Sequence, residues 1–112
     1  MKFTRRQALA ATAAAIAAPA AFAQSGWPSK QIRIVVPYPP GGSSDIIARS
    51  ISNLLADSLK QTVIVDNKAG ANGNLGTDFV AKSAPDGHTI LLCDVGALAI
   101  SASVYPKLPF DP

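Results

Sequence analysis

The sequence has one cysteine and one histidine in 112 residues, and each scarcity excludes a class of site. Cys93 has no partner for an intrachain disulfide. As a catalytic thiol it would need His88, but a five-residue separation on one predicted strand puts the two side chains on opposite faces. We therefore interpret Cys93 as a small buried apolar residue and His88 as a solvated turn residue. The sequence predicts no catalytic residue, no metal site and no cofactor.

Basic charge is also lacking once the first 23 residues are set aside. The formal net charge of the whole chain is +3, but three of its ten Lys and Arg residues are Lys2, Arg5 and Arg6. The seven that remain are balanced by seven aspartates and form no cluster. Nucleic-acid binding needs a basic patch, so we exclude it.

Residues 1–23 have the layout of a cleavable secretory signal. A basic start precedes the apolar stretch Ala8–Ala18, and Ala21-Phe22-Ala23 fits an A-x-A cleavage site. The apolar stretch is too short to span a bilayer as a stable helix. The pair Arg5-Arg6 fits a twin-arginine signal, and an ordinary Sec signal is equally open. We predict export to the periplasm and a mature chain that begins at Gln24.

Nucleotide-binding and hydrolase motifs are absent as well. The chain has no Gly-Lys-Ser/Thr of a phosphate loop, and Gly70, Gly73 and Gly76 have G-x-x-G-x-x-G spacing where a dinucleotide fingerprint needs G-x-G-x-x-G. The stretch Gly41–Asp45 lacks the second glycine of a G-x-S-x-G nucleophile elbow. His88 precedes the third predicted strand, so it would lie at the wrong edge of the sheet for a triad.

Apolar, β-branched runs alternate with helical patterns through the rest of the chain. The runs at 31–36, 62–66 and 89–93 predict strands, and the patterns at 45–60, 75–83 and about 97–103 predict helices. Strands joined by helical crossovers are parallel, and the crossovers are right-handed. The order βαβαβα therefore predicts the α/β class: half of a doubly wound parallel sheet.

Periodicity also predicts which helix faces are buried. In the first helix, apolar residues at 46, 47, 51, 54, 55 and 59 form a broad stripe, with Arg49, Ser52, Asn53 and Asp57 on the other side. In the second helix we expect Leu75, Phe79 and Val80 to face inward. Ser43 or Ser44 is the expected N-cap of the first helix.

Ligands of open α/β sheets bind beyond the carboxyl ends of the strands. Here that edge carries loops 37–44, 67–74 and 94–97, which are rich in Gly, Ser and Asn and contain Lys68 as their one cation. Helix N-termini offer free N–H groups to anions. We therefore predict a site for a small carboxylate, with Asp45 in a structural role. The alternative is that the segment Pro37–Ser44 merely makes the strand-to-helix turn.

Three stretches closely resemble the N-terminal part of a known family: WPSKQIRIVVPYPPGGSSDIIAR (27–49), VIVDNKAGANGNLGTDFVAKSAPDGHTILL (63–92) and VYPKLPFDP (104–112). The family is that of the Bug-type substrate-binding proteins, the extracytoplasmic receptors of tripartite tricarboxylate transporters. Its members have two α/β lobes that close on a small carboxylate. The resemblance implies that residues 24–112 form the opening part of the first lobe, with the rest of that lobe and the second lobe absent, so we expect a fragment.

The resemblance also implies a function and its site. It implies a non-enzymatic periplasmic receptor that serves the membrane subunits of such a transporter. The family's third-strand loop usually carries a Gly-Thr-Ser/Val-Gly-like run, and Asp94 departs from it. This departure argues against a simple dicarboxylate and leaves room for an amine, amide or hydroxyl group on the ligand. Alternatively, Asp94 turns away and caps the next helix.

The expected ligand-binding residues come from all three loops. They are Tyr38, Gly42, Ser43, Ser44, Ala71, Asn72, Gly73, Asn74, Asp94 and Val95. Two other functions stay open at this point: a fragment of an exported α/β hydrolase, and the non-functional remnant of a receptor gene.

Overall fold

A computed structural model describes residues 26–112. The predicted signal peptide, its cleavage after Ala23 and the start at Gln24 lie outside these residues. The described chain forms a three-stranded parallel sheet of β1 (Ile32–Val36), β2 (Val63–Asn67) and β3 (Thr89–Leu91) in the order β2-β1-β3. The predicted parallel α/β fold is confirmed.

Helices connect the strands and follow the last one. Helix α1 (Ser43–Leu59) joins β1 to β2, and a 3₁₀ turn (Ala71–Gly73) leads into α2 (Asn74–Ala81), which joins β2 to β3. A π-helical turn (Gly96–Ile100) continues into α3 (Ser101–Val104). Of the helices that the structure describes, none is long and apolar enough to cross a membrane.

Strand β3 is shorter than predicted. It ends at Leu91, although the Leu92 amide still donates to the Val35 carbonyl at 2.9 Å. Beyond that point the side chain of Asp94 accepts from the amides of Gly96 and Ala97, which turns the chain into the helix that follows. The predicted extension to Cys93 is therefore wrong.

The centre of the sheet is the most buried part of the described chain. Ile34, Val35 and Val36 in β1 are fully buried, because β1 has a strand on each side and helices pack near it. Ile51 and Leu55 of α1 pack against this core. Burying each such side chain contributes roughly 1.5–3 kcal/mol to folding.

The buried face of α1 differs from the predicted stripe. Ser52, expected outside, is buried, whereas Ile46 and Ile47 are exposed and Leu54 is 70% exposed. Residues 44, 48 and 52 recur every four positions and are all small, so the helix backbone can approach the sheet closely along that line. The hydroxyl of Ser52 donates to the Arg49 carbonyl at 2.9 Å, so its burial leaves no polar hydrogen unpaired.

Helix α2 likewise packs through small residues. Gly76 and Thr77 are buried, while Leu75 and Phe79 are exposed, so the prediction that these two face inward is wrong. Val80 is half-buried. A Cβ atom on Gly76 would lie 2.8 Å from Cβ of Pro37, so glycine lets the helix approach the chain that leaves β1. The close approach of the helix backbone at Gly76 therefore determines which face of α2 is buried, and the larger side chains lie to either side of that contact.

The roles predicted for His88 and Cys93 also need correction. His88 is buried, because the segment before β1 covers it: the Ser29 amide donates to its Nε2 at 3.2 Å, and the Trp27 ring centroid lies 6.0 Å from its own. It is therefore not a solvated residue. Cys93 is half-buried; burial, and then the neighbouring Asp94 charge, raise the pKa of its thiol.

Candidate functional site

The loops after the three strands meet at Tyr38. Its hydroxyl donates to Oδ1 of Asp94 at 2.5 Å, which joins the loop after β1 to the loop after β3. Gly73 completes the contact from the loop after β2: a Cβ atom added there would lie 3.3 Å from the Tyr38 hydroxyl and 3.1 Å from Cβ of Ala97. The structure therefore brings Tyr38, Gly73 and Asp94 together, as expected for one site.

The loop before α2 has an unusual backbone. Four consecutive residues have positive φ angles: 140° at Gly70, 47° at Ala71, 54° at Asn72 and 87° at Gly73. Left-handed conformations are unfavourable for Ala, and such strain clusters at ligand-binding and active sites. Ala71 and Asn72 are exposed at the tip of this loop, and Gly73 is buried where it meets Tyr38.

The two main helices at this edge begin without a side-chain cap. The N-cap of α1 is Gly42 and that of α2 is Gly73, and neither helix start has a side-chain cap hydrogen bond. The prediction that Ser43 or Ser44 caps α1 is therefore wrong; both lie inside the first turn, Ser43 exposed and Ser44 buried. Amides in a first turn have no partner within the helix, so the start of α1 favours an anion. At the start of α2, by contrast, the amides of Asn74 and Leu75 already donate to the carbonyls of Ala71 and Gly70.

Asp45 is the anchor of the α1 start. It is 4% exposed, and its carboxylate accepts from the Gly41 amide at 2.9 Å and from Nδ2 of Asn67 at 3.0 Å. Nε of Arg49 donates to both of its oxygens, at 3.1 and 3.0 Å. The bond from Arg49, then those from Gly41 and Asn67, lower the pKa of Asp45 to about 2. The predicted structural role of Asp45 is confirmed.

Asn67 extends this network to the rest of the site. Its Nδ2 also donates to the Tyr38 carbonyl at 3.2 Å, and its Oδ1 accepts from Arg49 at 3.1 Å. The start of α1 is thereby linked to Tyr38. Sequence reasoning missed the role of Arg49, although its position four residues after Asp45 on a helix is a signal for an ion pair.

Asp94 both caps the next helix and faces the site. Its Oδ1 accepts from Tyr38 and from the amides of Gly96 at 2.8 Å and Ala97 at 3.3 Å. The Tyr38 bond is the main cause that lowers the pKa of Asp94. Burial and this bond to the carboxylate raise the pKa of Tyr38 well above its usual range. The alternative that Asp94 is a cap is confirmed, but it does not turn away from Tyr38. Val95 beside it is exposed.

Asn74, the first residue of α2, is buried with an unpaired oxygen. Its Oδ1 has no hydrogen-bond partner among residues 26–112. A buried polar atom without a partner is unfavourable by about 1–3 kcal/mol, so such an atom calls for an explanation. It lies next to Gly73, where the three loops meet, and a ligand group could satisfy it.

Lys68, the one cation in the three loops, points elsewhere. Its Nζ lies 4.3 Å from the centroid of the Phe79 ring and 3.5 Å from Oδ2 of Asp66. It lines a groove of about 600 Å³ together with Asn67, Leu75, Phe79 and Lys82. In the part of the chain that the structure describes, no three His, Cys, Asp or Glu side chains are grouped to hold a metal ion.

Comparison with known proteins gives one family and several related structures. The sequence model of the "Tripartite tricarboxylate transporter family receptor" matches residues 47–112. The chain is 48% identical over 98 residues to the protein BugT of Bordetella pertussis. This match covers 87% of the chain and 29% of BugT. It thus spans less than a third of that relative's length.

Two solved structures from Rhodopseudomonas palustris are similar to the chain. One is MatC with bound malate, with a TM-score of 0.72 and 36% sequence identity. The other was solved with adipate and has a TM-score of 0.73 and 36% identity. Each match covers 77% of this chain and 29% of the solved chain.

Proposed function

Because this chain belongs to the receptor family of tripartite tricarboxylate transporters, we propose that it supplies one side of a periplasmic binding site for a small organic carboxylate. The observation that carries the proposal is the meeting of three loops at Tyr38, next to two helix starts without side-chain caps. In this proposal residues 24–112 are the first part of the first lobe.

The ligand's carboxylate accepts hydrogen bonds from the first-turn amides of α1, beside the loop that leads into α2. Each helix start contributes roughly 0.3–1 kcal/mol to anion binding, and up to about 2 kcal/mol where it is partly buried. Tyr38 packs against the body of the ligand, and the unpaired Oδ1 of Asn74 accepts from a hydroxyl or amine group of the ligand. Malate and adipate, present in the two related structures, both have carboxylates, which supports this class of ligand. The proposed contact residues are Tyr38, Gly42, Ser43, Ser44, Ala71, Asn72, Gly73, Asn74, Asp94 and Val95.

In this proposal the protein is a receptor without catalytic activity, and it passes its ligand to the membrane subunits of the transporter. A hydrolase needs an activated nucleophile beside a histidine. The raised pKa of the Cys93 thiol opposes activation. His88 is bound by Ser29 before β1, at the edge of the sheet opposite to Tyr38. These two observations favour the receptor over the hydrolase.

Periplasmic location is part of the same proposal. It rests on the signal-like residues 1–23 and on the family. Intact-mass measurement of the protein from a periplasmic extract tests it: we expect a chain that begins at Gln24. A periplasmic species that still contains Phe3–Ala23 would contradict cleavage, and recovery of the protein from the cytoplasm alone would contradict export.

The binding test is an NMR titration of the full 112-residue chain with malate, adipate and hexanoate. Hexanamide, which replaces the carboxylate of hexanoate with a neutral amide, is the control. We expect at least one acid to shift the amides of residues 42–45 and 73–75, with a Kd on the order of 1 mM (about −4 kcal/mol) for one side of a site. The proposal is wrong if no acid moves these amides, or if hexanamide moves them equally.

A further inference from the structure

The two oxygens of the Asp94 carboxylate have different surroundings. Oδ1 accepts all three hydrogen bonds that hold the side chain, from Tyr38, Gly96 and Ala97. No hydrogen bond within residues 26–112 ends on Oδ2. The side chain is exposed, so this second oxygen can accept from a molecule in the site.

The charge of Asp94 is not neutralised by a cation of the described chain. The cations near this edge are Arg49, which bonds to Asp45 and Asn67, and Lys68, which lies between Phe79 and Asp66. The bond from Tyr38 favours the ionised form of Asp94. The site therefore has a fixed negative charge that no cation of the described chain offsets, in addition to the start of α1, which favours an anion.

The position of Asp94 relative to the two helix starts is set by direct contacts. Ala97, whose amide donates to Asp94, has its Cβ 3.1 Å from the place of a Cβ on Gly73, the N-cap of α2. The Tyr38 hydroxyl, which donates to Asp94, also lies 3.3 Å from the place of a Cβ on Gly73. Asp94 therefore lies beside the loop that precedes α2 and, through Tyr38, is joined to the loop that precedes α1.

We propose that Asp94 determines specificity: its Oδ2 binds a cationic hydrogen-bond donor at the end of the ligand remote from the carboxylate. The inference rests on the proposed function, since it needs a carboxylate at the start of α1. A second carboxylate in that place is repelled by Asp94, because like charges without an intervening cation oppose each other. The preferred ligand is then an amino acid with separated charges, and dianions are disfavoured.

Substitution of Asp94 by Asn separates this role from the structural one. The amide oxygen of Asn can still accept from Gly96, Ala97 and Tyr38, so the helix cap is retained. The negative charge is lost. If Asp94 is only a helix cap, Asp94→Asn should leave the ligand preference unchanged. If Asp94 determines specificity, the same substitution should change that preference.

The test is an NMR titration of the full chain with three ligands of similar length. They are ε-aminocaproate, with a remote ammonium, adipate, with a remote carboxylate, and the monoamide of adipate, which is neutral there. We expect the unmodified chain to bind ε-aminocaproate about tenfold more tightly than adipate, with the monoamide between them. In Asp94→Asn the ratio should fall to about threefold or less. Asp111→Asn, an exposed acid outside the three loops, is the matched control and should keep the ratio.

The outcomes distinguish the two proposals. If acids bind but adipate binds as tightly as ε-aminocaproate, Asp94 is not a specificity residue and the proposed function stands. The same holds if Asp94→Asn keeps the ratio of the unmodified chain. If none of the three ligands shifts the amides of residues 42–45 and 73–75, the proposed function is wrong and this inference is wrong with it.

Discussion

The hydroxyl of Tyr38 and Oδ1 of Asp94 lie 2.5 Å apart, and this bond joins two loops that are far apart in the sequence. A hydrogen bond from a neutral donor to a carboxylate is stronger than one between neutral groups. It therefore fixes both side chains at the place where the three loops meet. The arrangement of the site depends on this pair before any ligand arrives.

Tyr38→Phe should raise the pKa of Asp94 toward its ordinary value of 3.8, because the bond from Tyr38 is the main cause that lowers it. Carboxyl carbon shifts of Asp94 followed by NMR as a function of pH measure the effect. Tyr105→Phe, which removes the other tyrosine hydroxyl, is the control and should leave Asp94 unchanged. If Asp94 titrates alike in Tyr38→Phe and the unmodified chain, the bond is not formed in solution.

Ser43→Pro should weaken carboxylate binding by about 1–3 kcal/mol, because it removes one first-turn N–H at the start of α1. Proline is tolerated at the first position of a helix. The preceding residue, Gly42, has φ −76° and ψ 169°, an extended conformation that suits a following proline. Ser43→Ala removes the same hydroxyl but keeps the amide, so it is the control. Equal hexanoate affinity in the two variants would show that the helix start is only a turn.

Gly76→Ala should lower the free energy of unfolding by about 1–3 kcal/mol through overpacking. The new Cβ would lie 2.8 Å from Cβ of Pro37 and 2.9 Å from the Lys68 carbonyl oxygen. In an open helix the same change would raise stability by about 0.8–1 kcal/mol, so the sign of the effect is diagnostic. Urea unfolding measures it, with Gly26→Ala, which adds a methyl to open space, as the control. A stabilised Gly76→Ala would contradict the close approach of α2 to Pro37.

The stability of the chain should fall as the pH drops from about 4 to about 2. The pKa of Asp45 is lowered from 3.8 to about 2, so its contribution to stability is complete above the unfolded value and is lost as pH falls through the folded value. Asp86 and Asp94, whose pKa values are also lowered, add to the same fall. Asp45→Asn should therefore show a shallower decline, measured by urea unfolding at several pH values. Asp57→Asn, on the same helix, is the control, and a slope in Asp45→Asn equal to that of the control would refute the role of Asp45.

The order of elements could be predicted because strands and helices leave different patterns in the sequence. The run Ile32–Val36 is apolar apart from Arg33, as expected for a strand covered on both faces, and it is the buried centre of the sheet. The inward faces of the helices were predicted only in part from apolar spacing: Ile51 and Leu55 of the predicted stripe pack against the core, whereas Leu54 is exposed. Ser52 and Gly76 are buried because they are small, and the spacing of apolar residues does not indicate how closely two backbones approach.

The site was predictable to the level of loops but not of contacts. Parallel strands bring their carboxyl ends to one edge, so Tyr38, Gly73 and Asp94 were expected there. That Tyr38 bonds to Asp94 depends on side-chain directions set by the whole fold. The burial of His88 was missed for a similar reason: the segment that covers it, around Trp27 and Ser29, has no strand or helix pattern of its own.

The position of β1 between its two partners has a consequence for how the sheet assembles. Arg33 of β1 is in register with Ile64 on one side and with Thr89 on the other, so every strand contact joins residues distant in the chain. Local hairpins cannot start such a sheet, and closing long loops before any pairing makes folding slow. During synthesis β1, the most apolar strand, is therefore made first. Its two edges stay unpaired until β2 and β3 have been made. During synthesis, Ile32–Val36 is the segment most in need of protection from aggregation.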